Sequence, residues 1–235
     1  MQDEIKAVAN AAEEVAKTTS KALDMVQSAG RFVAEYTRTP IEAGIGIISD
    51  KLVYMRWERQ QRFFQRSQEF LTQRGLSAPL NALPLNFAIP LLEAAALEEN
   101  DDLQDLWAAL LVNAATSSSS NDRRRAFISM LEQLTPLDAM VLLKIHSVLR
   151  GDLSERAAVT QNLPENTHVY SQDTPFENLG SPTDEVTLSL ANLVRIGCLD
   201  AEENWGGQKD YRNAYMTVLG RAFCEAVVLR GPGGC

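Results

Sequence analysis

The stretch that most limits what this chain can fold into runs from Leu103 to Ala114, where apolar residues fall at 103, 106, 107, 110, 111 and 114. That i, i+3, i+4, i+7 spacing defines one broad face of an α-helix, with Trp107 near its middle, and predicts a buried helix. Asn100-Asp101-Asp102 precedes it and supplies an N-cap followed by two acids in the first turn, where they oppose the positive end of the helix dipole. Nothing in the segment is catalytic.

Similar punctuation recurs along the chain. Thr39-Pro40-Ile41-Glu42 predicts a capping box with proline at the first helical position, opening a helix that runs to Arg74 before Gly75. A further helix is expected from about Asn86 to Glu98, started late or bent by Pro90. Two more are expected from Arg123 to Leu134 and from Pro136 to Leu149, with Thr135 capping the second. Pro164, Pro175 and Gly180 break up a polar stretch over 151–181, expected as loop. Ser181-Pro182-Thr183-Asp184 opens another helix that Gly197 stops. A hairpin over 198–218 turning at Trp205-Gly206-Gly207, a last helix from Val218 to Leu229 and a flexible tail over 230–235 complete the reading. The predicted fold class is mainly α: a helical bundle domain over 1–150, then a small winged-helix-like domain over 182–229, with strand confined to the hairpin.

The order Asp50-x-Leu52-x-x-x-Arg56-Trp57, Pro84 through Pro90-Leu91-Leu92-Glu93, Leu106-Trp107-Ala108-x-Leu110-Leu111-x-Asn113-Ala114, then Leu134-Thr135-Pro136-Leu137-Asp138 resembles the abortive-infection alpha family. The resemblance runs from roughly Pro40 to Leu149, with weaker echoes at Leu193–Gly197 and Leu219–Phe223. It marks Asp50, Trp57, Trp107, Asn113, Pro136 and Asp138 as family-motif residues and implies a part in bacterial defence against phage. It implies no reaction.

The chemistry-bearing residues are sparse. His146 and His168 are the only histidines, and neither has the neighbours of a nucleophile–base pair or a metal site. GxSxG, GxxxxGK[ST], HExxH and GxGxxG are absent. The expectation is therefore a non-enzymatic protein without catalytic, metal or cofactor residues. Cys198, Cys224 and Cys235 are odd in number and lack CxxC spacing, which fits a reducing cytoplasm. Met1-Gln2-Asp3-Glu4 is acidic where an export signal is basic. The longest apolar run, Ala43 to Ile48, falls well short of a transmembrane span.

Charge is segregated within a net −9. Lys51, Arg56, Arg59, Arg62, Arg66 and Arg74 face only Glu58 and Glu69 along one helix, interleaved with Trp57, Phe63, Phe64 and Phe70. Guanidiniums alternating with aromatics suit nucleic acid. The spacing instead puts the rings in the core and leaves the arginines as an edge, so Arg56, Arg59, Arg62 and Arg66 form a candidate interaction surface. The acidic run Glu93, Glu98, Glu99, Asp101, Asp102 and Asp105 is placed to attract that edge within the same domain. The helix after Thr183 starts with Asp184 and Glu185, and Glu202, Glu203 and Asp210 outnumber Lys209 and Arg212 in the hairpin. Phosphates would be repelled there, which disfavours a nucleic-acid-binding winged helix and favours a protein partner.

Two further expectations concern association. The apolar face of the 40–74 helix offers the main contact surface, and Ile5, Val8, Ala12, Val15, Thr19, Ala22 and Val26, repeating at steps of three and four, add a heptad-like seam to it. Together they predict a homo-oligomer, in first place a dimer, with Ile5, Val8, Val15 and Val26 as candidate seam residues. The amphipathic stretch Ile41 to Met55 offers the alternative of a membrane-active effector.

Overall fold

A computed structural model describes residues 30–37, 57–117, 123–150, 156–171, 175–204 and 206–230, with backbone only at Trp57 and Glu58. The expected cap at Thr39, the 41–55 stretch, the seam residues Ile5, Val8, Val15 and Val26, and Asp50 and Arg56 lie outside the described residues.

The helices are α1 (residues 30–37), α2 (Trp57–Gln73), α3 (Leu85–Leu97), α4 (Asp101–Thr116), α5 (Arg125–Leu131), α6 (Pro136–Val148), α7 (Asp184–Arg195) and α8 (Val218–Val227). α4 is the centre of the bundle. Leu103, Trp107, Leu110, Leu111 and Ala114 are all buried, as its periodicity predicts, and Asn100 caps it by accepting from the Leu103 N–H at 3.1 Å. α2, α3 and α8 pack around it. The phenylalanines of α2 are core: Phe63 and Phe70 are buried, and the half-buried Phe64 stacks on Phe32 of α1 at 4.1 Å between centroids. α3 begins at Leu85, ahead of Pro90 rather than delayed by it. Its first N–H groups bond Pro84, so the missing donor of Pro90 falls only just inside the helix. α5 is shorter at both ends than the 123–134 expected.

α6 opens on the predicted Thr135 cap, which is a full capping box. The Asp138 N–H donates to Thr135 Oγ1 at 3.2 Å, and Asp138 Oδ2 accepts from the Thr135 N–H at 2.8 Å. The same carboxylate oxygen accepts from Asn192 Nδ2 of α7 at 3.0 Å, and that amide also donates to the Gln133 carbonyl. A motif residue thus caps one helix and ties the next one to it. Asp138→Ala is expected to cost about 2 kcal/mol in urea unfolding, since a cap and a buried hydrogen bond go together, whereas Asp138→Asn keeps an acceptor and costs less.

Strand is not confined to the 198–218 hairpin, which corrects the sequence-based expectation. β2 (Leu199–Glu203) and β3 (Lys209–Met216) do form that hairpin, but β1 (Ala157–Val159), inside the expected loop, pairs antiparallel with the far side of β3. The sheet order is β1-β3-β2. Ala157, Ala158 and Val159 stand opposite Tyr215, Ala214 and Asn213, and all three are buried. A three-residue strand buried on both faces shows no alternation for the sequence to reveal. The loop that follows is tied back by Thr167 Oγ1, which donates to the Val159 carbonyl at 2.6 Å.

Candidate functional site

The basic edge of α2 and the acidic run are brought together as charge complementarity predicts. Arg59 pairs with Glu99, Arg62 with Asp101, and Arg66 with Asp105, three rungs joining α2 to the start of α4. Arg66 makes the strongest of them: Nε and Nη2 meet the two oxygens of Asp105 at 2.6 and 2.5 Å, Nη1 meets Glu69 at 3.0 Å, and its guanidinium lies 4.7 Å from the Phe70 ring centre. Hydrogen bonds to Asp105 and Glu69 push the Arg66 pKa up, and the bond from Arg66 draws the Glu69 carboxyl down. Arg59, Arg62 and Arg66, offered by the sequence as an interaction surface, are thus engaged inside the molecule.

The motif residues that are described hold the fold. Trp107 is buried in α4, and Pro136 occupies the first position of α6. Asn113, 1 % exposed, donates through Nδ2 to the Ala226 carbonyl at 2.6 Å and the Val228 carbonyl at 2.9 Å, while its Oδ1 accepts from Arg74. These carbonyls belong to the C-terminal end of α8, where a helix leaves its last acceptors without intrahelical donors. The weaker echoes also meet. Thr217 Oγ1 donates to the Gly197 carbonyl at 2.6 Å, the Thr217 N–H donates to the Cys198 carbonyl at 3.2 Å, and α8 then starts directly over that peptide. The thiols of Cys198 and Cys224 are buried, and burial pushes both up, Cys198 to about 12, far from a reactive thiolate.

The outward side of α7 and the hairpin is acidic and apolar. Asp184, Glu185 and Leu188 are exposed, Leu188 by 74 %. The cations of α7 and the hairpin have partners of their own: Arg195 with Asn192 Oδ1 at 2.7 Å, Lys209 with Asp200 and Glu203, and Arg212 with Asp210 at 2.7 Å and over the Phe176 ring.

Between α6 and α8 lies a cavity of about 440 Å³ whose lining includes His146, Arg150, Arg221, Glu225, Leu229 and Arg230. Sequence reasoning considered His146 alone and missed the cavity. The α6 pair and the α8 pair each have i, i+4 spacing, but the two pairs are far apart in the chain. His146 is 8 % exposed; burial first, then the cations of Arg150 and Arg221, push its pKa below the ordinary histidine range. The unfolded chain then binds this proton more readily than the folded one, so folding stability falls as pH drops through about 6.5 toward the lower native value. Urea midpoints measured across that range are expected to show this acid slope, and His146→Gln to flatten it.

The family model described as abortive infection alpha matches residues 58–227, from the first turn of α2 to the last residue of α8. It takes in both weaker echoes and the three-stranded sheet. No curated protein and no solved structure matches the chain. Among the described residues no helix is long and apolar enough to cross a membrane. With the ladder, the buried tryptophan helix and both capped C-terminal helices inside the matched span, this chain belongs to the abortive infection alpha family.

Proposed function

We propose that the chain acts in phage defence by holding a protein partner rather than by turning over a substrate. The observation that carries this reading is the outward face of α7: Leu188 stands exposed beside Asp184 and Glu185, and in the hairpin that follows, Lys209 and Arg212 are paired with its own carboxylates. Such a face repels phosphate and suits a partner that offers an apolar contact rimmed by basic residues. The sheet order β1-β3-β2 with a helix ahead of the hairpin supports a winged-helix-like scaffold used for protein contact.

Purified protein is expected to leave nucleic acid unshifted in electrophoresis and to stay unbound in liposome flotation. A salt-sensitive mobility shift would favour a nucleic-acid regulator, and flotation a membrane effector using 41–55. Pull-down from phage-infected cells should recover a partner with the parent chain and lose it with Leu188→Glu, while circular dichroism stays unchanged because the site is exposed. Recovery of the same partner by both chains counts against the α7 face.

Self-association is part of the same proposal. Light scattering should report a dimer for the full chain, held mainly through the 40–74 helix, and a change to monomer on removal of residues 1–30 would give the seam of Ile5, Val8, Val15 and Val26 the leading part. A monomer in both cases removes the dimer.

A further inference from the structure

The cavity between α6 and α8 does not belong to the proposed protein contact, and its chemistry is of the opposite sign. His146 comes from the last turn of α6 and Arg150 from just beyond it, Arg221 and Glu225 from one face of α8, and Val228, Leu229 and Arg230 from the residues that follow. Among the described residues three guanidiniums, an imidazole and one carboxylate thus border one hollow, on a chain whose net charge is −9. Arg150 and Arg230 sit just past helix C-termini, where the helix dipole favours cations. Arg221 does not have that excuse, because it falls in the opening turns of α8, at the positive end of the dipole. Arg150 and Arg221 line the same hollow as His146, whose protonation is disfavoured first by burial and then by these two cations. Arg230 is steadied by its Nε, which donates to the Glu225 carbonyl at 3.2 Å.

We propose that this cavity binds a nucleoside phosphate, the phosphate held by Arg150 and Arg221 with His146 beside them, and the nucleoside set against Val228 and Leu229. Guanidinium forks match phosphate oxygens in pairs, and a volume of about 440 Å³ lies within the range of pockets that hold small molecules. Glu225 accepts from a ribose hydroxyl or a base amine and selects against bare phosphate. A free nucleotide fits better than the 5′ end of a strand, since a long polyanion meets the overall negative charge.

The test uses the full chain with AMP, adenosine and a short 5′-phosphorylated oligonucleotide, followed by calorimetry and by the His146 ring signals in NMR. AMP is expected to bind and to raise the His146 pKa, because a phosphate dianion offsets the two arginines; adenosine is expected to bind at least about tenfold more weakly. Arg150→Gln and Arg221→Gln should each weaken AMP at least about tenfold. Arg150 is exposed, so its variant keeps the fold, with thermal melting as the check. Absence of both heat and a His146 shift with AMP overturns the proposal. So does AMP binding that neither substitution weakens, or adenosine binding as tightly as AMP. Tighter binding of the oligonucleotide than of AMP would overturn the assignment to a free nucleotide.

Discussion

Replacing Gly220 with alanine is expected to destabilise the protein by about 3 kcal/mol, read as a fall of roughly 6–12 °C in the thermal midpoint. A β-carbon built there would lie 1.9 Å from the Cys198 carbonyl oxygen and within 2.8 Å of the Cys198 Cα. These are backbone atoms held in a sheet and a helix junction, so no rotamer change relieves the contact. Alanine does favour helix over glycine by up to about 1 kcal/mol, less in a first turn, and this gain offsets only part of the clash. To accommodate the methyl group α8 must lift from the 197–198 peptide. It would then weaken the cap at Thr217, whose Oγ1 accepts from the Gly220 N–H at 2.8 Å, and its own bonds to Gly197 and Cys198. Differential scanning calorimetry decides the matter. A midpoint within 2 °C or so of the parent would mean that α8 can shift at little cost, and that Gly220 is not needed for close approach.

What the sequence made legible is local in the chain. Asn100, Thr135 and Thr183 each cap the helix they precede, and Gly75 and Gly197 follow the ends of α2 and α7 with positive φ. The ladder from Arg59, Arg62 and Arg66 to Glu99, Asp101 and Asp105 was legible too, because opposite charge fixes a pairing even between separate helices. What stayed hidden depends on closing long loops. Gly220 reads as a helix-weakening residue until Cys198 lies beneath it. Ala157–Val159 has neither alternation nor a run of β-branched residues, and it becomes a strand only because β3 offers an open edge. The cavity needs residues from α6 and α8, and neither His146 with Arg150 nor Arg221 with Glu225 signals an anion site when met alone. The motif residues marked the family correctly and pointed away from its surface, since Trp107, Asn113 and Asp138 are all buried.

Asn113→Ala is expected to cost about 3 kcal/mol and to loosen α8 before the rest of the fold. Two helix-end carbonyls, those of Ala226 and Val228, lose this donor at once, and Arg74 loses one of its acceptors while keeping Thr116 Oγ1. Each buried acceptor left unsatisfied costs about 1–3 kcal/mol, with the lower end fitting carbonyls that keep a second lone pair. The orientation of the amide follows from its partners, because only the nitrogen can serve two carbonyls and only the oxygen can serve a guanidinium. Asn113→Asp therefore discriminates between shape and donation. It preserves volume and the Arg74 contact but places an acceptor-only carboxylate against two carbonyls, so at neutral pH it should be no more stable than the alanine variant. Acidification that protonates this carboxylate returns one donor and should recover part of the loss. Hydrogen exchange gives the regional readout: amides of α8 are expected to lose protection while those of α2 and α3 keep theirs. An aspartate variant as stable as the parent at neutral pH would show that packing at this position, rather than donation to α8, is what the bundle requires.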